Sequence, residues 1–278
     1  MADTTRERGK VNVWGVLAAI ITIAYSLPIL WLVMTSFKSR IDIFAVPPKF
    51  IFRPTLTNYI YTINRGLFWG PLLNSVIMSV VSVLLAVALT IFAAYAISRF
   101  NVKGSQLIMF MVLSLRMMPA AVVVIPMFLL YRLLGLVNNY IGMILLYAMF
   151  SIPFSLWMLK GFIDEVPRQF DDAALADGAS VLQVLRDVIL PQLGPAIATV
   201  IIFNMIFVWN EFLFSYILTG VETRTIPVQI ALGIYTDKGV DWEYVSALST
   251  IYIVPIVIAV FALQKSLLRG MTFGTIRR

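Results

Sequence analysis

Residues 66–98, GLFWGPLLNSVIMSVVSVLLAVALTIFAAYAIS, run without a single charged side chain. A helix that crosses a bilayer needs about 20 predominantly apolar residues, or about 17–25 with tilt, so this stretch alone is long enough to span. Working outward, the same pattern recurs from Val11 to Phe37, Leu133 to Leu159, Val188 to Asn210 and Tyr244 to Gln264, and from Gly104 to Tyr131 with only Arg116 inside. Six spans are therefore predicted, at 12–36, 72–97, 106–130, 138–159, 196–219 and 246–264. The fold class is all-α: a polytopic membrane protein with six transmembrane helices. The first run is too long for a signal-peptide core and lacks a small-residue cleavage site, so it is expected to stay attached. No internal repeat is visible.

Composition narrows the function. Of 278 residues, 60% are apolar and 13% charged, against about 25% charged in ordinary soluble domains. The excess apolar surface has to face lipid. With no Cys and no His, thiolate and imidazole metal sites, Cys nucleophiles and Ser-His triads are excluded, and no catalytic or metal-binding residue is assigned. The net charge of +7 is spread between apolar runs instead of gathered on one patch, which argues against nucleic acid. Twelve Lys and Arg fall on the side of the two chain ends and eight on the other; this bias, with basic residues flanking the first and last spans, places both termini inside.

The longest polar stretch between spans, about 161–195, reads GFIDEVPRQFDDAALADGASVLQVLRDVILPQLGP. Two short helices are predicted in it. Pro167 suits a first turn, and Asp171 and Asp172 complement the positive helix end. Gly178 can take the positive φ of a sharp stop. Ser180 is the N-cap of the second helix, and Pro191 marks its end.

Asp172-Ala173-Ala174, Asp177-Gly178-Ala179 and Leu190-Pro191 resemble the EAA loop of ABC-importer permeases, with Asp172 where that family usually has Glu. Pro47-Pro48-Lys49, Asn58-Tyr59, Asn74-Ser75, Gly135-Leu136, Trp209-Asn210-Glu211-Phe212, Thr225-Ile226-Pro227, Asp241-Trp242 and Gly270…Gly274 extend the resemblance to the maltose-type carbohydrate permeases over nearly the whole chain. The resemblance implies a cytoplasmic N-terminal tail (1–11), a six-helix permease domain (12–266) carrying the coupling loop, and a cytoplasmic tail (267–278) that reaches the ATPases. It implies a second homologous permease, two cytoplasmic ATPase subunits, an extracytoplasmic solute-binding protein and a carbohydrate substrate, in a bacterial or archaeal inner membrane. Asp172, Ala173, Ala174, Asp177, Gly178 and Ala179 would couple to the ATPase. ATP and Mg would be held by the partner subunits, leaving no cofactor in this chain; its only Gly-Lys, Gly9-Lys10, is followed by Val11 and has Thr at position 4, so no phosphate-cradling loop is present.

Arg116 and Glu211 are the ionisable residues placed deep in spans, about 15 Å and about 22 Å from the inner side if each helix rises straight. Charges at that depth usually face an interior or a partner. An Arg–Glu pair across the third and fifth spans fits the offset. Either the pair locks the bundle, or Arg116, Asn204, Asn210 and Glu211 line a pathway as donors and acceptors for hydroxyls; the sequence leaves both open. The six Trp sit mostly near span ends and read as interfacial anchors, while Pro28, Pro119, Pro126, Pro153 and Pro255 imply kinks. Two other classes compete with a permease subunit: a secondary transporter, for which Glu211 could serve as the ion-coupling carboxylate, and a membrane enzyme with an Asp/Glu or Ser/Lys centre, for which no constellation is evident.

Overall fold

A computed structural model describes residues 13–66, 68–234, 237 and 239–272, with side chains up to Phe261. The N-terminal tail and the end of the C-terminal tail lie outside the described residues. The chain folds into helices in the order α1 (Val13–Ser36), α2 (Arg40–Ile43), α3 (Thr57–Asn64), α4 (Trp69–Arg99), α5 (Ser105–Leu115), α6 (Ala120–Leu133), α7 (Tyr140–Glu165) and α8 (Gln169–Ala176). These are followed by α9 (Val181–Gln183), a π-helical turn (Val184–Ile189), α10 (Leu190–Gln192), α11 (Gly194–Trp209), α12 (Leu213–Leu218), α13 (Ile226–Ile234) and α14 (Trp242–Thr272). Two compact units emerge: one from the residues up to Gly66 with Gly233–Ile251, the other from Leu67–Leu232 with Tyr252 onward.

Among the described residues four helices are long and apolar enough to cross a membrane unbroken: Trp14–Ser36, Trp69–Arg99, Tyr140–Glu165 and Trp242–Phe261. Two bent pairs, Ser105–Leu115 with Ala120–Leu133 at 92° and Val181–Gln192 with Gly194–Trp209 at 77°, pass the same length and composition test only when each is taken as one span, for up to six among the described residues. The third span expected at 106–130, with a kink at Pro119, is broken at 116–119. Pro119 is the reason, because it supplies no N–H to the preceding turn and is held extended at the N-cap of α6. The span expected at 196–219 is likewise interrupted, at 210–212 between α11 and α12.

The larger unit is organised by α4 against α7, with α11 packed on both. One face of α4 is a buried stripe of small residues, Ser75, Ser79, Ser82, Ala86, Thr90, Ala94 and Ser98, at close to helical i, i+4 spacing. Lipid tails are as apolar as Leu, so burying Leu between two spans gains little; small residues instead let the backbones approach and gain dispersion contact. The hydroxyls do not stay unpaired: Ser79 Oγ donates to the Ser75 carbonyl at 2.5 Å and Ser151 Oγ to that of Tyr147 at 2.8 Å. On the opposite face Ile77, Val81, Leu84 and Phe92 are exposed, as side chains that meet lipid should be. Met78, Val83, Met143, Leu146, Leu159 and Ile163 fill the seam.

The smaller unit is tied by polar contacts. Ser36 Oγ lies 2.7 Å from Tyr59 Oη, and Asn58 donates to the carbonyls of Ser36 and Lys38. Arg65 pairs with Asp241 at 2.8 Å. Hydrogen bonds from Lys49 and Ser39 hold the Asp42 carboxyl below its ordinary range. Lys38 is buried with its ammonium 4.1 Å from the Trp31 ring centre and 5.4 Å from that of Phe52, a cation seated on two aromatic faces.

Candidate functional site

The polar loop forms the helix–bend–helix expected of it, and its bend is built by backbone geometry. After α8 the Gly178 N–H donates to the Leu175 carbonyl and the Ala179 N–H to that of Ala174, both at 3.0 Å, with Gly178 at φ +87°. This 5→2 and 6→1 pair satisfies the last carbonyls of α8 and requires a left-handed residue at its hinge. Ser180 then opens the second helix through a reciprocal cap: its Oγ accepts from the Gln183 N–H, and its own N–H donates to Gln183 Oε1 at 2.7 Å. The helix ends at Gln192, one residue past Pro191, as the sequence suggests; before that end a π-turn runs over Val184–Ile189, with Leu190 N donating to Leu185 O.

The loop has two faces. Ala174 and Ala179 pack against the core cluster, while Phe170, Asp172, Ala173, Leu175, Ala176, Asp177 and Gly178 are exposed. Phe170, Leu175, Val181 and Leu182 are large apolar side chains left open beside two carboxylates. Large apolar side chains left exposed beside charge on one loop suit an interaction surface. Of the six residues assigned to coupling, four are thus presented outward and two anchor the loop from beneath.

Sequence reasoning missed that anchor's strongest part. Asp171, adjacent to Asp172 on α8, points the other way and is buried. Arg99 Nε lies 3.1 Å from both of its carboxylate oxygens, and Tyr95 Oη donates to Oδ1 at 3.2 Å. The same guanidinium donates through Nη1 to Ser98 Oγ at 3.3 Å and through Nη2 to the Val166 carbonyl at 2.9 Å. Ser98 Oγ donates to Asp164, and Arg168 donates to the Ser98 carbonyl at 2.8 Å. The available signal was the doublet itself: consecutive helix positions lie about 100° apart, so two adjacent acids seldom share one environment.

The residues assigned to the membrane interior are not brought together as one set. Arg116 ends α5 at the first break, where its Nη1 donates to the Phe150 carbonyl at 2.6 Å and its guanidinium lies 4.3 Å from the Phe207 ring centre. Phe150 lies three positions before Pro153, inside α7. Glu211 accepts from the backbone N–H groups of Phe214 at 2.8 Å and Ser215 at 3.0 Å, and from Tyr147 Oη at 3.0 Å. It caps α12. The expected Arg116–Glu211 pair is therefore corrected: no ion pair joins them, because each is consumed at its own helix break, and a straight-rod depth count fails for two helices that bend. Asn204 is fully enclosed, donating to Ser155 Oγ at 2.8 Å and the Val200 carbonyl at 3.0 Å. That is interhelical adhesion between α7 and α11. Asn210 is exposed and accepts from Tyr252 Oη at 2.9 Å. Trp209 is no interfacial anchor: it is buried and stacked on Tyr252, ring centres 5.6 Å apart, with Tyr252 Oη returning a bond to its carbonyl.

Residues 86–273 match the family described as "Binding-protein-dependent transport system inner membrane component". The probable ABC transporter permease protein y4oR of Sinorhizobium fredii is 32% identical over 277 residues, covering 99% of each chain. The trehalose/maltose transport system permease protein MalG of Thermococcus litoralis is 32% identical over 280 residues, covering 100% of this chain and 99% of its own. Among solved structures, a chain of a bacterial ABC transporter involved in import of the acidic polysaccharide alginate superposes with a TM-score of 0.75 at 24% identity, covering 91% of this chain and 94% of that one. That last likeness concerns the fold.

Proposed function

Because the chain belongs to the binding-protein-dependent transport system inner membrane components, we propose that it is one half of the pore of an ATP-driven importer for a sugar or related polyol. Its partners in this reading are a homologous second permease, two cytoplasmic ATPase subunits and an extracytoplasmic solute-binding protein, with both termini on the ATPase side. A carbohydrate is favoured because a relative matched end to end is named for trehalose and maltose transport. The observation that carries the coupling role is the outward face of α8, where Phe170, Asp172, Leu175 and Asp177 stand exposed on a loop whose inner face is anchored. A short helix so presented can seat in a groove of a separate subunit and turn its closure into rigid-body movement of the spans. Hydrolysis belongs to those subunits, and this chain is not an enzyme.

No observation favours an ion-coupled transporter: Glu211, the carboxylate that reading needs, is occupied as a helix cap and as acceptor to Tyr147. The test is affinity purification of this chain expressed with its partner permease and candidate ATPase. Two ATPase copies per permease pair are expected, and their loss on changing Asp172 and Leu175 together to Lys. Recovery of the permease pair with no ATPase in any condition refutes the proposal. For the substrate class, sugar-dependent stimulation of ATP hydrolysis in the presence of the binding protein is expected with disaccharides and absent with amino acids.

A further inference from the structure

The two halves of a lever need a joint, and α8 by itself is a poor one. A helix of eight residues is marginal in isolation, so force applied to its exposed face is lost unless something fixes it to a span. Arg99, the last residue of α4, is placed to do this. Its three guanidinium nitrogens reach three elements at once: Nε to Asp171 on α8, Nη2 to the Val166 carbonyl at the end of α7, and Nη1 to Ser98 on α4 itself. Both side chains of the ion pair are only 7% exposed, and Tyr95 supplies Asp171 with a further donor. The planar, fixed fork of Arg is what permits three simultaneous directions; a lysine ammonium on a flexible stem does not reproduce it.

We propose that Arg99 is the positioning residue of the coupling loop, bracing α8 through Asp171 so that movement of α8 is delivered to α4 as a rigid displacement. This rests on the coupling role proposed above for the 161–195 loop. Asp172 meets the ATPase; Asp171, its neighbour, meets the membrane domain. The acidic doublet therefore divides the two ends of one transmission between adjacent residues.

The experiment uses the full complex in proteoliposomes. The chain has no native Cys, so a fluorophore can be placed uniquely through Gly70→Cys, at the end of α4 opposite Arg99, where an added Cβ meets open space. Three quantities are measured for the parent, Arg99→Lys and Asp171→Asn: ATPase retained on purification, rate of ATP hydrolysis, and the label's response to a non-hydrolysable ATP analogue with Mg. Each variant is expected to keep its ATPase subunits and hydrolysis while its label response per bound ATPase falls at least about fivefold, the lower end of ordinary coupling between sites. An undiminished response in both variants overturns the proposal. So does a response that falls only in step with bound ATPase, or the loss of both variants from the membrane, since either means a folding role alone. If the parent itself binds no ATPase, it is the coupling reading of the loop that fails, and the brace falls with it.

Discussion

Replacing Gly178 by Val isolates the hinge of the coupling loop. At φ +87° an L-residue with a branched Cβ is in the left-handed region, which costs about 1–2 kcal/mol. No other atom lies within 4 Å of where a Cβ would stand, so no clash within the chain adds to that figure. The two capping bonds at 3.0 Å depend on this one dihedral pair, and a penalty of about 1–2 kcal/mol lowers the ratio of capped to uncapped loop by about 5- to 30-fold. Uptake per ATPase in proteoliposomes should fall for Gly178→Val, by at most about 30-fold. Gly178→Ala should lie between Val and the parent. Gly178→Asn should remain within about twofold, because Asn tolerates the left-handed region. Membrane insertion should be unchanged throughout. An order of Asn as damaging as Val would show that side-chain bulk at the ATPase contact matters and the dihedral does not; parental uptake for Val would refute the hinge altogether.

Arg116→Met and Glu211→Gln should be additive in complex stability to within about 0.5 kcal/mol, as for residues that do not touch; a double variant markedly less damaged than the sum, in a thermal melt of the detergent complex, would restore the pair rejected above. Asn204→Leu should leave uptake unchanged and shift stability by less than about 1 kcal/mol, because Ser155 Oγ keeps its bond to the Ser151 carbonyl and the Asn204 Oδ1, which has no partner among the described residues, is removed. Lost uptake at intact stability would place Asn204 on the solute route. Gly142→Ala should lower the melting temperature, since its Cβ would overlap the Leu136 carbonyl oxygen and overpacking costs about 1–3 kcal/mol; an unshifted melt would mean the α6–α7 connection yields freely.

Much of this protein was legible without coordinates, and the reason is solvent. Lipid offers backbone groups no hydrogen bonds, so a charge-free run long enough to cross must be helical, and counting such runs located the four unbroken candidate spans and the two runs that break. The loop was legible for a related reason: Gly178 and Ser180 act through their own backbone neighbourhood, and local chemistry is written locally. What tertiary structure alone decided is where helices break and which polar groups meet. Pro119 announces a kink, but a 92° bend depends on what the freed turn packs against. Glu211 and Arg116 look alike in sequence, two charges in apolar runs, yet one caps α12 through two backbone N–H groups and the other donates to a backbone carbonyl of α7, because a half-buried charge is stabilised by whichever backbone polar group the fold brings to it. The Asp171–Asp172 doublet shows the limit most clearly. Both residues occupy the first turn of α8, and only the position of Arg99, 72 residues earlier in the chain, determines which of them faces in.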